Sequence, residues 1–362
     1  MKDPGYKKSP KTLIIVPQLN ILGGVSLHFL GLKDYWESDV KYFEAFRFKK
    51  NIIASVFAFL WNYIYFMYKM VTYRPNNLVV NVSLKKGFFS KNNYIRIAKL
   101  FNTEIITFIH GWDDASEWML NHPKGKFLLD NSETVIVLAS QFKEKLIKSG
   151  CKSHIHLTTT KVDDKLVKDF NISSKSYNSK NILFLARIEV AKGIYIALDA
   201  IKALQKKDPE ITLRVAGTGE ELEKAQQYAK TNDIKAIFLG RLSGTPLIEE
   251  FSNAAIYILP TTHGEGMPTS VLESMAFGLP IITRPVGGTC DFFIDGKMGK
   301  LIESLDAQDY INALEEILYN PEKQKEISVY NYNYAKEKFY ASSVAKDLEA
   351  IFNKNFQYLQ NR

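Results

Sequence analysis

Residues 254–283 read AAIYILPTTHGEGMPTSVLESMAFGLPIIT, and their pattern is the clearest structural signal in the chain. The segment opens on an apolar run, Ala255–Leu259, that is typical of a buried strand, and it closes on a second run, Ile281–Thr283. A helix is predicted between them, beginning near Pro268, because proline is favoured at the first helical position, and ending at Gly278, because glycine caps helix C-termini. A strand, a helix and a second strand form the repeating unit of a parallel sheet.

The same alternation of short apolar runs and amphipathic helices extends over the 362 residues and predicts an α/β fold with two parallel sheets. In the first half the predicted strands are Leu13–Pro17, Leu78–Val82, Glu104–Ile109 and Val135–Leu138. In the second half they are Asn181–Leu185, Thr212–Ala216, Ala236–Leu239, Ala255–Leu259 and Ile281–Thr283. A chain of this length is long for one domain, so two domains are expected.

One polar segment sets the predicted domain boundaries. Residues 165–180, rich in Ser, Asn and Lys, have the composition of an inter-domain linker. We therefore expect an N-terminal domain over residues 1–164 and a C-terminal domain over residues 181–335. Residues 336–362 belong to a long polar helical pattern, Val329–Gln360, that is expected to cross back to the first domain.

The net charge of +8 predicts anionic partners: a phosphate-bearing ligand, a membrane surface or a nucleic acid. No nucleic-acid recognition motif accompanies the charge, so nucleic acid is the poorest fit of the three. The two cysteines, Cys151 and Cys290, have no metal-like spacing and fit a reducing cytoplasm. The N-terminus has only a short apolar run before a proline, which is typical of a first strand and not of a signal peptide.

Residues 51–68, NIIASVFAFLWNYIYFMY, have no charge and come close to the minimum length for crossing a bilayer. Asn51, Asn62 and several tyrosines weaken that interpretation, so we predict a helix between two strands, with an aromatic face suited to lipid headgroups. The basic residues expected to face an anionic membrane surface are Lys2, Lys7, Lys8, Lys11, Lys85, Lys86, Lys91, Arg96 and Lys99. The alternative is that these cations are only solvated, on an enzyme with a soluble acceptor.

Ligands of open parallel sheets bind at the carboxyl ends of the strands, and several polar residues follow predicted strand ends. Gly23 and Gly24 follow the first strand at a helix start, where glycines let backbone amides approach an anion. His110 follows the third strand. Arg187 and Lys192 follow the first strand of the second half and could clamp a diphosphate; the alternative is a pair of solvated surface cations.

Two carboxylates flank the helix that begins near Pro268. Glu265 lies in the loop before this helix, and Glu273 lies in its second turn. The first helical amides, those of residues 269–271, are predicted to point at an anion. A carboxylate beside phosphates is costly unless it accepts hydrogen bonds, and sugar hydroxyls meet that condition.

Residues 260–302 closely resemble the signature of the family-4 glycosyltransferases, retaining enzymes of the GT-B fold, in which two Rossmann-like domains face each other across a cleft. That family has a Glu-x7-Glu motif, which Glu265 and Glu273 match. The likeness is strong over residues 180–303 and diffuse before them. Three further segments are similar to family elements: FLARIEVAKGI (184–194) to the Arg/Lys motif, AGTGEELEK (216–224) to the Gly-x-Gly turn, and FLGRL (238–242) to the base-side loop.

The resemblance implies a role for each matched residue. Arg187 and Lys192 would neutralise the leaving nucleotide diphosphate. Glu265 would bind the transferred sugar, and Glu273 would bind the ribose hydroxyls. His110, which matches the sugar-site histidine, would contact the sugar and assist at the reacting centre. The other residues expected to contact the nucleotide sugar are Gly23, Gly24, Gly217, Gly219, Arg241, Gly266, Met267, Pro268 and Thr269.

The resemblance predicts a retaining glycosyltransferase that moves a hexose from a nucleotide-diphosphate sugar, UDP more than GDP, to a glycan acceptor. The acceptor is expected to be lipid-diphosphate-linked, in bacterial polysaccharide or glycoconjugate biosynthesis, with the enzyme peripheral on the cytoplasmic face of the cell membrane. No cofactor is expected, and no metal, because family members need no divalent ion. Two alternatives stay open: a sugar-nucleotide 2-epimerase of the same architecture, and a non-catalytic partner subunit.

Overall fold

The structure is a computed structural model, and it describes residues 9–19, 23–45, 52–82, 91–112, 114–263 and 266–360. The side chains of residues 52–54, 114–116 and 355–360 are not described. The chain divides into two compact units: Met1–Thr160 with Ala341–Arg362, and Lys161–Tyr340.

The first unit contains a sheet of six parallel strands in the order β2-β1-β3-β4-β5-β6. The central strands β3 and β4 are buried at every position, because helices cover both faces of a parallel sheet. This order is flavodoxin-like and differs from that of dinucleotide-binding sheets. The strands are β1 Thr12–Val16, β2 Val40–Glu44, β3 Asn77–Val82, β4 Glu104–Ile109, β5 Thr134–Val137 and β6 His154–Leu157.

Among the described residues of the first unit, six helices lie between β1 and β6. Their inward faces and the sheet form one apolar core, which includes Phe43, Phe66 and Tyr94. The helices are α1 Gly24–Leu32, α2 Ile52–Thr72, α3 Lys91–Leu100, α4 Asp114–Asn121, α5 Pro123–Asp130 and α6 Ser140–Lys148.

The second unit contains another six-stranded parallel sheet, in the order β12-β11-β10-β7-β8-β9. Counted from β7, this is the 3-2-1-4-5-6 order of dinucleotide-binding sheets, and the direction of winding reverses between β7 and β10. The strands are β7 Asn181–Leu185, β8 Thr212–Ala216, β9 Ala236–Gly240, β10 Ile256–Leu259, β11 Ile281–Thr283 and β12 Gly299–Leu301.

In the part of the second unit that the structure describes, seven helices form one apolar core with this sheet, which includes Phe184, Phe251 and Tyr257. They are α7 Ile194–Gln205, α8 Leu222–Thr231, α9 Thr245–Asn253, α10 Thr269–Ala276, α11 Thr289–Phe292, α12 Ala307–Leu318 and α13 Pro321–Lys338.

The C-terminal helical pattern, predicted as one helix over Val329–Gln360, forms two helices in the structure. Helix α13 ends at Lys338, and α14 spans Ala341–Gln360. The break occurs because Phe339 and Tyr340 leave the helix to pair with Val162: the Val162 amide donates to the Phe339 carbonyl at 2.7 Å. Helix α14 belongs to the first unit, where the Glu349 carboxylate accepts hydrogen bonds from the Ser38 amide and hydroxyl, both at 2.6 Å.

The segment predicted as a linker, residues 165–180, lies within the second unit. Its side chains bond to the body of that unit: the Lys175 ammonium donates to the carbonyl oxygen of Ala254 at 3.2 Å. The Ser179 hydroxyl donates to the carbonyl oxygen of Asn253 at 2.5 Å. The polar side chains of this segment therefore form hydrogen bonds to the second unit, at the edge of the sheet where the strands begin. Composition alone cannot distinguish such hydrogen-bonded polar residues from the solvent-exposed ones of a linker.

Candidate active site

The reversal of strand order between β7 and β10 brings two predicted loops together at one edge of the sheet. The loop after β7 forms a 3₁₀ turn, Val190–Lys192, and the loop after β10 is bonded to it. The Thr262 amide donates to the carbonyl oxygen of Ala191 at 2.8 Å, and the Thr261 hydroxyl donates to the same oxygen at 3.2 Å. The structure therefore fixes the Arg/Lys segment against the strand end that leads to the two glutamates.

Lys192 and Arg187 occupy different environments in this loop. Lys192 is 6% exposed, while the Arg187 side chain is 64% exposed and forms an ion pair with Glu189 at 2.5 Å. Burial, and after it the positive charge of the nearby Arg187, lower the pKa of the Lys192 ammonium to about 8, while Glu189 acts to raise it. A cation kept in a partly desolvated position is suited to a strongly anionic ligand, whose charge would restore the protonated form.

Three glycines after these strands are explained by close backbone packing. Gly193 has a positive φ of 79°, and a Cβ there would lie 2.4 Å from the carbonyl oxygen of Pro260. A Cβ at Gly217 would lie 1.9 Å from the Ala186 carbonyl oxygen, and one at Gly219 would lie 2.2 Å from that of Ile188. Gly217 and Gly219 were predicted to contact the nucleotide sugar; in the structure they hold the loop after β8 against the loop after β7.

Helix α10 follows the loop after β10 and is positioned by a buried tyrosine. The Tyr257 hydroxyl donates to the carbonyl oxygen of Leu185 at 3.0 Å and lies 2.7 Å from the Ser270 hydroxyl. It therefore connects the end of β7 to the first turn of α10. The Val271 amide donates to the Pro268 carbonyl at 3.0 Å, so the prediction that this amide points at a ligand is wrong. In an α-helix the amides before it, here those of Thr269 and Ser270, have no intrahelical acceptor.

Glu273 lies in the second turn of α10 and is half-buried. Burial raises the pKa of its carboxyl group to about 7; Lys161 acts to lower it and Asp163 to raise it. Its partner in the Glu-x7-Glu motif, Glu265, lies outside the described residues. A half-buried carboxylate of raised pKa can accept hydrogen bonds from a diol, which would stabilise its charged form.

The remaining predicted residues of the second unit surround the same loop or lie on the next one. Gly266 and Pro268 are buried, and Met267 is half-buried. The Gly288 amide donates to the Gly266 carbonyl oxygen at 2.8 Å, so the loop after β11 is bonded to the loop that precedes α10. Arg241 is exposed after β9.

In the first unit His110 follows β4 and is held by Asn81, the fifth residue of β3. The His110 Nε2 atom lies 2.7 Å from Asn81 Oδ1, and the Asn81 amide nitrogen donates to the carbonyl oxygen of Ile15 at 2.8 Å. Because the amide oxygen only accepts, this network assigns the proton of the ring to Nε2. Burial, and then the positive charge of His28 and Lys91, keep the pKa of His110 well below its usual range. The neutral ring therefore presents Nδ1 as an acceptor.

The glycine loop after β1 leads to helix α1, which begins at Gly24. A Cβ added at Gly24 would meet no atom within 4 Å, and one at Gly23 would meet only the Ser26 hydroxyl at 4.0 Å. The packing of the described residues therefore does not explain these glycines, unlike Gly217 and Gly219. The loop is tied to the sheet by Glu44 at the end of β2, which accepts a hydrogen bond from the Leu19 amide at 3.0 Å.

No group of three or more His, Cys, Asp or Glu side chains is arranged to hold a metal ion in the part of the chain that the structure describes. Metal independence therefore stays a prediction.

Two residues of the candidate site were missed in the sequence: Tyr257, which connects β7 to α10, and Asn81. A polar residue inside an otherwise apolar strand run was the available signal for both.

Comparison with known proteins identifies the second unit. Residues 167–334 match the family model described as Glycosyl transferases group 1. The match lies within the second unit and covers a little under half of the chain. The predicted resemblance is confirmed over these residues, and the Arg/Lys loop, helix α10 and Glu273 all lie within them.

Curated relatives are similar to this chain over a little more than half of its length. An uncharacterized glycosyltransferase of Haemophilus influenzae is 30% identical over 207 residues, which cover 56% of this chain and 57% of the relative. The putative colanic acid biosynthesis glycosyltransferase WcaL of Escherichia coli is 22% identical over 228 residues, which cover 57% and 53% of the two chains. The chain thus spans a little over half the length of these relatives.

Solved structures confirm the GT-B fold. Anabaena Alr3699/HepE in complex with UDP is similar with a TM-score of 0.73 at 14% identity, over 95% of this chain and 100% of that one. HepE is also known in complex with UDP-glucose, where the TM-score is 0.69 at 14% identity over 98% and 100% of the two chains.

Proposed function

We propose that this protein is a retaining glycosyltransferase that moves a hexose from a nucleotide-diphosphate sugar to a glycan acceptor in bacterial polysaccharide biosynthesis. The observation that carries the proposal is the buried Lys192 at the strand-order reversal, bonded through its loop to the strand end that leads into α10. The named role of WcaL in colanic acid biosynthesis supports the acceptor class. The complexes of HepE with UDP and UDP-glucose support a uridine donor.

The proposed chemistry places developing negative charge on the diphosphate as the sugar departs. Lys192, Arg187 and the amides at the start of α10 would stabilise that charge, which is the contribution that a metal ion makes in other enzymes. Glu273 would accept hydrogen bonds from the ribose hydroxyls, and Glu265 would bind the hexose. Retention follows if the acceptor hydroxyl attacks from the side on which the diphosphate leaves, with a phosphate oxygen taking its proton. His110 would accept a hydrogen bond from a sugar hydroxyl at Nδ1, since Nε2 is bonded to Asn81.

Donor binding is expected to raise the melting temperature selectively for one nucleotide class. A ligand that binds only the native state stabilises it by about 2.7 kcal/mol at one hundred times its Kd. The test is a thermal-shift panel of UDP, GDP and ADP with their sugars, in which UDP and a UDP-sugar should give the largest shifts. No shift with any nucleotide would contradict the proposal. Donor consumption only when acceptor is added separates a transferase from a 2-epimerase, and any consumption excludes a non-catalytic subunit.

Affinity for the nucleotide sugar is expected to peak between about pH 7 and about pH 8 and to fall on both sides. Below this window Glu273, whose pKa is about 7, takes up a proton and accepts hydroxyl hydrogen bonds poorly. Above it Lys192, whose pKa is about 8, loses its proton and its charge. Binding favours the charged form of each group, so it shifts the first pKa down and the second up.

Isothermal titration calorimetry across this pH range measures the effect. A nucleotide sugar is the appropriate ligand because its diphosphate does not titrate near neutrality, unlike that of a free nucleoside diphosphate. Glu273→Gln should remove the acid decline alone, and Lys192→Met the alkaline decline alone. A variant that keeps the decline assigned to its residue would contradict that assignment.

We further propose that helix α2 attaches the enzyme to an anionic membrane surface. One side of α2 packs in the core through residues such as Phe66 and Met70, which are fully buried. Its other side exposes large apolar residues at helical spacing, including Phe57 (69% exposed), Trp61 (57%) and Ile64 (61%). A helix that is apolar on both sides is typical of burial or of contact with lipid. Within the described residues, no helix is both long and apolar enough to span a bilayer.

The distribution of charge supports an anionic partner for this side of the molecule. The first unit has 25 Lys and Arg against 14 Asp and Glu, a net +11, whereas the second has 22 against 25, a net −3. Each basic residue near an anionic bilayer contributes about 1 kcal/mol. Residues 1–8 and 83–90, predicted to contribute, lie outside the described residues. Lys99 pairs with Glu133, so the exposed face of α2 is the better candidate for the contact.

Replacing Trp61 and Ile64 together by serine is expected to weaken binding to vesicles about tenfold or more, because each large apolar side chain contributes about 1 kcal/mol or more when it leaves water. Co-sedimentation with anionic phosphatidylglycerol vesicles and with neutral phosphatidylcholine vesicles measures this. The matched control replaces Leu100 and Ile147, which are exposed on α3 and α6 of the same unit. Equal, negligible binding of the unaltered protein to both vesicles, or equal loss in both variants, would exclude this attachment.

A further inference from the structure

A cavity of about 750 Å³ lies in the second unit at the edge of the sheet opposite to the candidate active site. Its walls are formed by the segment 165–181 and the end of α9, beside the first residue of β7. The candidate active site follows the other end of β7, so a five-residue strand, about 16 Å, separates the two places. None of the described residues predicted to bind the nucleotide sugar lines this cavity.

One wall contains the ammonium group of Lys175, which is 8% exposed. An ammonium has three N–H donors, and two of these donate to the carbonyl oxygens of Ser252 at 3.4 Å and Ala254 at 3.2 Å. Burial lowers the pKa of Lys175 to about 8. The third N–H donor can bond to an oxygen atom of a ligand, and the other charges in the wall decide whether a neutral or an anionic ligand fits.

The charges in the wall largely cancel. Arg214 and Glu250 form a forked ion pair in which Nε bonds to Oε2 and Nη2 to Oε1, both at 2.5 Å. Lys165 and Asp169 also line the cavity, so three cations face two carboxylates. A site that selects phosphate would need a larger excess of positive charge, so a neutral polar ligand fits better.

The other lining groups can donate and accept hydrogen bonds at once. They include the side-chain amides of Asn178 and Asn253. The Asn171 side-chain carbonyl oxygen already accepts from the Ser173 amide, and the hydroxyls of Ser174 and Ser179 already donate to backbone carbonyl oxygens. One apolar surface is supplied by Phe170, whose ring packs against Phe277 at 4.8 Å between centroids. Sugar hydroxyls both donate and accept, and the C–H face of a pyranose packs on apolar rings.

We propose that this cavity binds a saccharide, a unit of the glycan acceptor or product held away from the site of transfer. The identity of the saccharide as acceptor or product rests on the proposed function; the binding itself does not. Such a subsite would keep a growing chain close to the enzyme between transfers and raise its effective concentration.

Saturation-transfer difference NMR on the full chain tests this with the methyl glycosides of glucose, galactose, mannose and N-acetylglucosamine. UDP is added in excess to occupy the donor site. At least one glycoside is expected to bind with UDP present, and Asn178→Trp, which fills the cavity from an exposed wall position, should weaken that binding tenfold or more. Lys175→Met should also weaken it, and Gln226→Trp, on the exposed side of α8, should leave it unchanged.

The inference would be overturned if no glycoside binds, if UDP displaces the glycoside, or if Asn178→Trp binds the glycoside as well as the unaltered protein does. Binding of inorganic phosphate at the cavity in place of any glycoside would also overturn it. If glycosides bind as expected while no nucleotide shifts the melting temperature, this inference stands and the proposed function fails.

Discussion

Replacing Lys192 with methionine is expected to lower turnover about 100- to 1,000-fold, the usual effect of removing one preorganised donor to a developing anion. Lys192 is buried at the strand-order reversal, where water screens its charge poorly and the diphosphate gains most from it. Steady-state kinetics with the donor identified in the thermal-shift panel measures the loss. Because the charge is kept partly desolvated, the melting temperature of the variant should stay the same or rise.

The matched control is Lys206→Met, which removes an exposed lysine beyond the C-terminal end of the same helix, α7. Its turnover and donor affinity should match those of the unaltered protein. Arg187→Met should have a smaller effect than Lys192→Met, because the guanidinium is more exposed and already paired with Glu189. Near-normal turnover in Lys192→Met would remove the diphosphate role assigned to this residue.

The two glutamates of the Glu-x7-Glu motif are expected to fail in different ways. Glu265→Gln should cut turnover strongly, by 100-fold or more as an order of magnitude, and leave nucleotide binding largely intact, because this residue is expected to contact the hexose. Glu273→Gln should weaken binding of the free nucleoside diphosphate, because Glu273 is expected to contact the ribose. Turnover numbers and calorimetric Kd values for both variants separate the two roles.

Each glutamate variant serves as the control for the other, since the substitution is the same and removes one charge from the same loop and helix. A Glu265→Gln protein that turns over at a near-normal rate would show that its assignment is wrong. Loss of nucleotide binding in Glu265→Gln but not in Glu273→Gln would show that the two roles are exchanged.

Strands were predicted best where they are buried on both faces. The predictions at Glu104–Ile109, Asn181–Leu185 and Thr212–Ala216 agree with β4, β7 and β8 to the residue, because strands inside a parallel sheet have mostly apolar sequences. Three strands at or near the edges, β2, β6 and β12, were missed. VKYFE and HIHL mix polar and apolar residues, and GKL is too short to form a run.

The candidate site was predicted where its residues form a local sequence pattern and missed where it depends on distant segments. The Arg/Lys segment and the Glu-x7-Glu segment are local patterns, so their presence was evident without the fold. That their loops bond to each other through Ala191 depends on the order of strands in the sheet, which no local pattern specifies. The partner of His110 was likewise hidden, because Asn81 is 29 residues away on a neighbouring strand.

The amino-acid sequence by itself determined the α/β class, the family signature and the identity of the charged groups, since each depends on residues close together along the chain. Only the tertiary structure decided that Lys192 is buried while Arg187 is exposed, that Gly217 packs on backbone where Gly24 leaves room, and that α2 is apolar on its outer side. These depend on which distant segments pack together. That packing determines which side chains are buried and how closely two backbones approach each other. Burial in turn shifts pKa values, and the distance between backbones determines how much space a ligand has.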